Sequence, residues 1–133
     1  MYGLLDISAS GMVASRIRLE TASVNIANAD SVEAPDGSYS PFQRRMAVIA
    51  PGDPRSGSPL GVHVAAIEKD EAYILRFLPD HKFADANGYV KFPNINRSVE
   101  LVNAIDAQRA YEANITAAEA TKSLISSSLR LLA

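Results

Sequence analysis

The chain contains no cysteine. Disulfide frameworks, zinc–thiolate sites and cysteine nucleophiles are therefore excluded. The sequence also lacks any run approaching the ~18 apolar residues that a membrane span needs. Its first fifteen residues do not form a cleaved secretory signal, because Asp6 and three serines interrupt them. If the protein leaves the cytoplasm, we expect it to use a route that reads no cleaved signal.

A strong charge of either sign is also missing. The formal net charge is −2, with 47% hydrophobic and 21% charged residues. This balance is typical of a globular protein and provides no basic surface for nucleic acid.

Proline is absent from both ends of the chain. All seven prolines lie between Pro35 and Pro93. Since proline is excluded from helix interiors, this distribution predicts terminal helices around a compact insert. We expect an N-terminal helix within residues 1–34, a β-rich insert at residues 35–93 and a C-terminal helix within residues 94–133. The two ends together would form one helical domain.

The first helix is expected from about Leu4 to Asn28, and its apolar residues repeat every seven positions. Large residues occupy one position of the repeat, and small residues follow three positions later. The large set is Leu5, Met12, Leu19 and Ile26, and the small set is Ser8, Ser15, Ala22 and Ala29. This pattern predicts a coiled-coil-like seam whose small residues let a partner helix approach closely.

The second helix is expected from about Ser98 to Leu132, with Asn94 or Ser98 as its cap. One predicted seam comprises Leu101, Gln108, Ile115, Lys122 and Leu129. The other comprises Ala104, Tyr111, Ala118, Ile125 and Leu132. Two interpretations stay open: the helices bury their seams against each other within one chain, or they also pack against other subunits.

The proline-bearing middle is expected to be a small β subdomain. Strands are predicted at Met46–Ile49, Val62–Ile67, Ala72–Phe77 and Tyr89–Phe92. The Asn87-Gly88 pair is typical of a type I′ turn. The stretch of about residues 50–61, rich in Pro, Gly and Ser, is expected to be an exposed and mobile loop.

Residues that could carry chemistry form no recognised pattern. His81 lies near Asp85, an arrangement that can serve as a base or a metal ligand. No second histidine stands at a ligand spacing, and no serine lies in a nucleophile elbow. His63 falls in a predicted strand. We therefore expect no catalytic, metal or cofactor site and no enzymatic activity.

Two amide-rich segments are more specific. Asn25 and Asn28 lie three residues apart near the end of the first helix, and hence on one face. Either they end the helix, or they form interhelix hydrogen bonds that set the register of an assembly. Asn103 and Asn114 on the second helix would offer complementary groups.

These segments resemble a known family. Residues Ser8–Asp30 resemble the N-terminal signature of the bacterial flagellar rod and hook family, and Glu100–Asn114 resemble its C-terminal signature. Residues Pro79–Asn96 are similar to a segment of the proximal rod members of that family. The short length also fits those members, and the resemblance covers nearly the whole chain.

The resemblance implies a non-enzymatic structural subunit of the proximal rod, which crosses the periplasm within the basal body. Terminal helices would form a helical tube that transmits torque and surrounds an export channel, and export would proceed without signal cleavage. The implied partners are copies of the chain, other rod proteins, and subunits that join the rod to the membrane ring and export gate. The alternative from another class is a cytoplasmic coiled-coil adapter or export chaperone.

The residues expected at subunit interfaces come from both helices. They are Leu5, Met12, Leu19, Asn25, Ile26, Asn28, Leu101, Ala104, Gln108, Tyr111, Asn114, Ile115, Ala118, Ile125 and Leu129.

Overall fold

The computed structural model describes residues 2–132 and confirms a mainly α fold with a small β insert. Its elements, in chain order, are α1 (Tyr2–Ala27), β1 (Arg45–Asp53), β2 (Ser58–Lys69), β3 (Tyr73–Phe77), β4 (Tyr89–Pro93) and α2 (Arg97–Leu132). The strands form two separate two-stranded antiparallel sheets, β1–β2 and β3–β4.

Both helices fall in the proline-free ends of the chain, as the sequence predicts. The cap of α2 is Asn96, rather than Asn94 or Ser98. Its side-chain oxygen accepts hydrogen bonds from the backbone N–H groups of Ser98 (3.0 Å) and Val99 (3.3 Å). These bonds satisfy donors that have no partner within the first turn. Within residues 2–132, neither helix is long and apolar enough to cross a membrane.

The β1–β2 hairpin is longer than the sequence predicts. Its register runs from Arg45 opposite Lys69 to Asp53 opposite Ser58. The expected loop at about residues 50–61 is therefore mostly strand, and only residues 54–57 form the turn. Pro51 and Pro59 lie inside these strands because each strand of a two-stranded sheet has a free edge, where a missing N–H donor is tolerated.

Asp53 closes this turn. Its side-chain oxygens accept hydrogen bonds from the Arg55 backbone N–H (2.9 Å) and the Ser56 hydroxyl (2.8 Å). Its carbonyl accepts the Gly57 N–H at 2.9 Å. These local bonds organise a segment whose composition alone is typical of an irregular loop.

The second sheet pairs Tyr73 with Pro93 and Phe77 with Tyr89. A turn does precede β4, but it is not type I′, because that turn needs positive φ at both central residues. Of Asn87 and Gly88, only Gly88 has positive φ (82°), and every described residue with positive φ is a glycine. The Asp85 side chain instead accepts the N–H groups of Asn87 and Tyr89, both at 2.9 Å.

The insert has a small apolar core of its own. Val32, Val90 and Phe92 are buried together, with Phe83 and Ala84 packed against them. The ring of Tyr39 stacks on Phe83 at a centroid distance of 4.8 Å. This core joins the segment after α1 to the β3–β4 sheet, at the end of the molecule where α1 finishes and α2 starts.

Candidate subunit interface

The two helices pack against each other along their small residues. The expected small set of α1, namely Ser8, Ser15, Ala22 and Ala29, is buried throughout. On α2 the buried position opposite it is Ala107. Because small side chains keep the axes close, the helix pair resembles the close-packed seam that the sequence predicts.

The pairing is antiparallel and has a single register. Asn25 contacts Glu100, and Gly11 lies against Asn114. Each step forward along α1 therefore corresponds to one step backward along α2. In this register Tyr2 lies opposite Ser123, so the α2 residues after Ser123 have no described α1 residue beside them.

A buried polar cluster joins the end of α1, the start of β1 and the start of α2. The Asn25 amide group donates to the Arg45 carbonyl (2.8 Å) and to Glu100 Oε2 (3.0 Å), and Asn25 Oδ1 accepts the Arg45 N–H (2.9 Å). Arg44 Nε donates to Glu100 Oε1 at 2.7 Å. Asn25 is 0% exposed and the Glu100 side chain is 3% exposed. Each buried polar atom therefore has a partner, as its desolvation requires.

The β1–β2 hairpin runs along one side of α1. At one end Arg45 contacts Asn25, and at the other the Ser10 hydroxyl accepts the Val62 N–H at 3.1 Å. The same hydroxyl donates to the Ile7 carbonyl at 2.7 Å. This side of α1 is thus covered by the chain's own insert, whereas, among the described residues, neither sheet packs on α2.

The other side of the helix pair carries large residues and is not covered by either sheet. We call it the open flank. It comprises Leu5, Met12, Leu19 and Ile26 of α1 with Leu101, Gln108, Tyr111, Ile115 and Lys122 of α2, and Leu129 continues it on α2 past the described end of α1. Successive residues turn by about 100° around a helix. Both helices are right-handed and they run in opposite directions. Residues that follow the inward-facing position by the same rotation on each helix therefore lie on the same side of the pair.

The seam of α2 that faces α1 is displaced by one residue from one of the two predicted seams. The inward positions are Glu100, Ala107, Asn114 and Thr121, all buried or half-buried. Leu101 and Leu129 are 55% and 63% exposed. The predicted seam of Leu101, Gln108, Ile115, Lys122 and Leu129 therefore does not face α1 within the chain, and its contact with other subunits stays a prediction. Close packing against the small residues of α1 selects small and polar partners, and the larger residues lie to one side.

The predicted interface residues fall into three groups by exposure. Asn25 is fully buried in the polar cluster. Leu5, Met12, Leu19, Ile26, Asn28, Ala104, Asn114, Ile115, Ala118 and Ile125 are half-buried. Leu101, Gln108, Tyr111 and Leu129 are exposed.

The amide side chains do not pair as expected. Asn25 bonds to Glu100 and the Arg45 backbone rather than to Asn103 or Asn114. The amide groups of Asn28 and Asn114 donate back to the carbonyls of Val24 (2.9 Å) and Ala110 (2.8 Å) in their own helices. Asn28 also lines a groove of about 800 Å³ that includes Phe42 and Tyr73. One amide of the four thus forms an interhelix side-chain bond.

Sequence reasoning missed the roles of Glu100 and Arg44. Glu100 stands where an acid is common, in the first turn of a helix. Arg44 is one of two consecutive arginines before a strand. Neither feature indicates burial. The available signal was the run of small or polar residues at seven-residue spacing from Glu100 to Thr121, which matches the small residues of α1.

The two histidines make local contacts. His63 Nδ1 lies 2.8 Å from the Gly52 carbonyl, within the β1–β2 hairpin. His81 Nδ1 accepts the Phe83 N–H at 3.2 Å, and its ring packs near Phe83 and Phe92. No group of three His, Asp or Glu side chains that could hold a metal occurs within residues 2–132.

Comparison with known proteins matches both helical ends. A family described as flagella basal body rod protein matches residues 5–33, and flagellar basal body rod FlgEFG protein C-terminal matches residues 86–131. The flagellar basal-body rod protein FlgC of Salmonella typhimurium is 38% identical over 98% of this chain and 97% of its own length. The chain belongs to the flagellar basal body rod protein family. It is a structural rod subunit.

Two further relatives of this rod-family chain come from other bacteria. The FlgC protein of Borreliella burgdorferi is 35% identical over 99% of the chain and 97% of its own length. The FlgC protein of Aquifex aeolicus is 40% identical over 93% of the chain and 91% of its own length. The matched relatives are rod proteins, so the alternative of a cytoplasmic adapter or export chaperone gains no support.

Proposed function

We propose that this chain forms part of the proximal rod and assembles there with copies of itself and other rod proteins. The assembly is a helical tube that surrounds the export channel and transmits torque across the periplasm. Further contacts join it to subunits at the membrane ring and export gate. The chain reaches this place by flagellar export without signal cleavage, and it performs no catalysis.

The observation that carries this proposal is the open flank. Leu101 and Tyr111 expose apolar surface beside half-buried Met12 and Leu19, and Leu129 extends the exposed stripe of α2 past the described end of α1. No other described element packs on α2 besides α1. Apolar burial contributes about 25 cal/mol per Å², so a neighbouring subunit that covers this stripe would be held firmly. Contacts between unlike surfaces that do not close into a ring produce a helical array.

We infer that two parts of the chain have different roles. The helical domain of residues 1–34 and 94–133 provides the assembly surface. The insert of residues 35–93, with the β1–β2 turn at its tip, provides the surface that distinguishes this subunit from other rod proteins.

The open flank can be tested by Tyr111→Asp and Leu19→Asp. We expect each change to block incorporation into basal bodies and abolish swimming while the protein is still expressed, because a charge at a subunit contact is desolvated without a partner. The measurements are immunoblots of purified basal bodies and motility in soft agar. Tyr111 is the cleaner site, since it is already exposed and its replacement disturbs the monomer least.

Val13→Asp is the matched control. Val13 is 50% exposed and lies on the side of α1 opposite α2. We expect this variant to assemble and swim. Working flagella in cells that carry Tyr111→Asp would show that the open flank is not a subunit contact.

A further inference from the structure

A small cavity lies between α1, the start of α2 and the start of β1, on the side of the helix pair away from the open flank. It has a volume of about 180 Å³ and is lined by Arg18, Arg44, Arg45, Glu100 and Asn103, with Thr21, Ala22, Met46 and Ala47 completing the wall. Small-molecule sites usually measure about 300–1,000 Å³. This cavity is therefore sized for a single side chain or a small ion.

The charges around the cavity do not balance. Glu100 is the only acid in its wall, and both of its oxygens are already engaged by Arg44 and Asn25. Arg18 forms no ion pair with any of residues 2–132, although it is half-buried. Arg45 is exposed, and its guanidinium lies 5.2 Å from the centre of the Phe42 ring, which is outside the cavity wall. It forms no ion pair with any of residues 2–132. The positive charges of Arg18 and Arg45 are thus not neutralised by an acid among the described residues.

Guanidinium groups are planar donors that match the geometry of a carboxylate. The half-burial of Arg18 reduces its hydration and strengthens its attraction for an anion. The amide of Asn103, which also lines the cavity, can add a neutral donor. A carboxylate would therefore be complementary to this wall in charge and in hydrogen-bonding geometry.

We propose that this cavity receives an acidic side chain from α2 of a second copy of the chain. The proposal rests on the rod assignment, since it requires subunits to pack side by side. Beyond Glu100, the acids of α2 are all exposed, and among the described residues Asp106 and Glu119 take part in no ion pair. One of these two residues supplies the carboxylate that enters the cavity of the neighbouring copy. Such a contact adds orientation to the non-directional apolar packing of the open flank.

Arg18→Glu in the full-length chain tests this contact in cells that lack the wild-type copy. We expect its incorporation into basal bodies to fall by at least about tenfold, because two like charges would then meet at a partly desolvated contact. Combination with Asp106→Arg or Glu119→Arg should restore incorporation in one of the two pairs. Arg18→Gln, which keeps a donor but no charge, should show a smaller loss.

Arg16→Glu is the matched control. Arg16 lies two residues away on an exposed face and pairs with Glu20 at 3.7 Å within its own helix. We expect this variant to assemble normally. The thermal unfolding midpoints of the purified variants identify any loss that comes from misfolding, in which case Arg18→Gln carries the test.

Several results would overturn the proposal. Normal incorporation of Arg18→Glu into basal bodies would overturn it and leave the rod assignment intact. The same holds if neither Asp106→Arg nor Glu119→Arg restores the incorporation of Arg18→Glu. A further outcome is that inorganic phosphate raises the unfolding midpoint of the wild type but not that of Arg18→Gln. If, in addition, neither charge reversal restores incorporation, the cavity binds a free anion instead of a neighbouring side chain. Absence of the wild-type protein from basal bodies would remove the rod assignment and this contact together.

Discussion

Asn25 shows how one residue can specify the arrangement of three segments. Asparagine is unfavourable in a helix interior because its side chain competes for backbone groups. Here the amide is directed away from its own helix, into bonds with Glu100 of α2 and both backbone groups of Arg45. An apolar residue at this position would leave these groups without partners. The single polar residue therefore sets the relative positions of α1, α2 and β1.

Asn25→Ala is expected to lower the free energy of unfolding by about 2–4 kcal/mol, because it leaves buried polar and charged groups unsatisfied. Chemical denaturation of the purified full chain measures this change. Asn28→Ala is the control, since its amide donates only to the Val24 carbonyl of its own helix, and its loss should stay below about 1 kcal/mol. Equal losses for both variants would contradict the role given to the buried cluster.

At the scale of elements, the close approach of α1 and α2 depends on the absence of side chains at their contact. A Cβ added at Gly11 would lie 2.6 Å from Asn114 Oδ1. Glycine weakens an isolated helix by about 1 kcal/mol relative to alanine. The lower helix propensity of Gly11 is offset because Asn114 of α2 occupies the space that a side chain would fill. Tertiary packing therefore accounts for a glycine inside this helix.

Gly11→Val is therefore expected to destabilise the chain by about 1–3 kcal/mol through overpacking. Gly3→Val, at a helical position where an added Cβ meets nothing within 4 Å, should have little effect. The comparison uses thermal or chemical unfolding of both variants. Addition of Asn114→Ala should recover part of the loss at Gly11, because it removes the atoms that the new side chain strikes. No recovery, or equal effects at Gly3 and Gly11, would argue against close helix contact here.

At the scale of the whole molecule, Asp30 connects the helical domain to the insert. Its two oxygens accept hydrogen bonds from Arg97 at the start of α2 (2.6 Å) and from Arg76 on β3 (3.0 Å). The hydrogen bond from Arg97, followed by that from Arg76 and the charges of both, holds the pKa of Asp30 below its ordinary value of 3.8, although partial burial opposes the shift. The lowered pKa means that the folded state favours the ionised carboxylate.

The sign of the resulting pH dependence follows directly. A lowered folded-state pKa adds stability at pH values above the ordinary value, and that stability disappears as the pH falls through the folded value. We expect Asp30→Asn to be less stable than the wild type at pH 7, and the difference to shrink below about pH 4. Because the Asp30 side chain is 45% exposed, the difference at neutral pH should be no more than about 1 kcal/mol.

Urea denaturation at several pH values measures this difference. Arg97→Gln provides the control, because the effect of Asp30→Asn should be reduced when its strongest partner is already missing. A difference between wild type and Asp30→Asn that does not change with pH would show that ionisation of Asp30 does not link the two parts.

The order of helix, β insert and helix could be predicted from the sequence, as could the family to which the chain belongs. These properties depend on local rules: proline is excluded from helix interiors, apolar residues repeat with the helical period, and the signature segments are continuous in the chain. The small residues of α1 even indicated which of its faces would be buried.

The sequence did not predict which face of α2 meets α1, that Glu100 is buried, or that most of residues 50–61 are strand. The physical reason is that each of these outcomes depends on a partner distant in the chain. Glu100 can be buried because Asn25 and Arg44 supply its hydrogen bonds, and Ala107 faces inward because α1 approaches closely. Periodicity records which residues share a face, whereas the contact itself determines which face is covered.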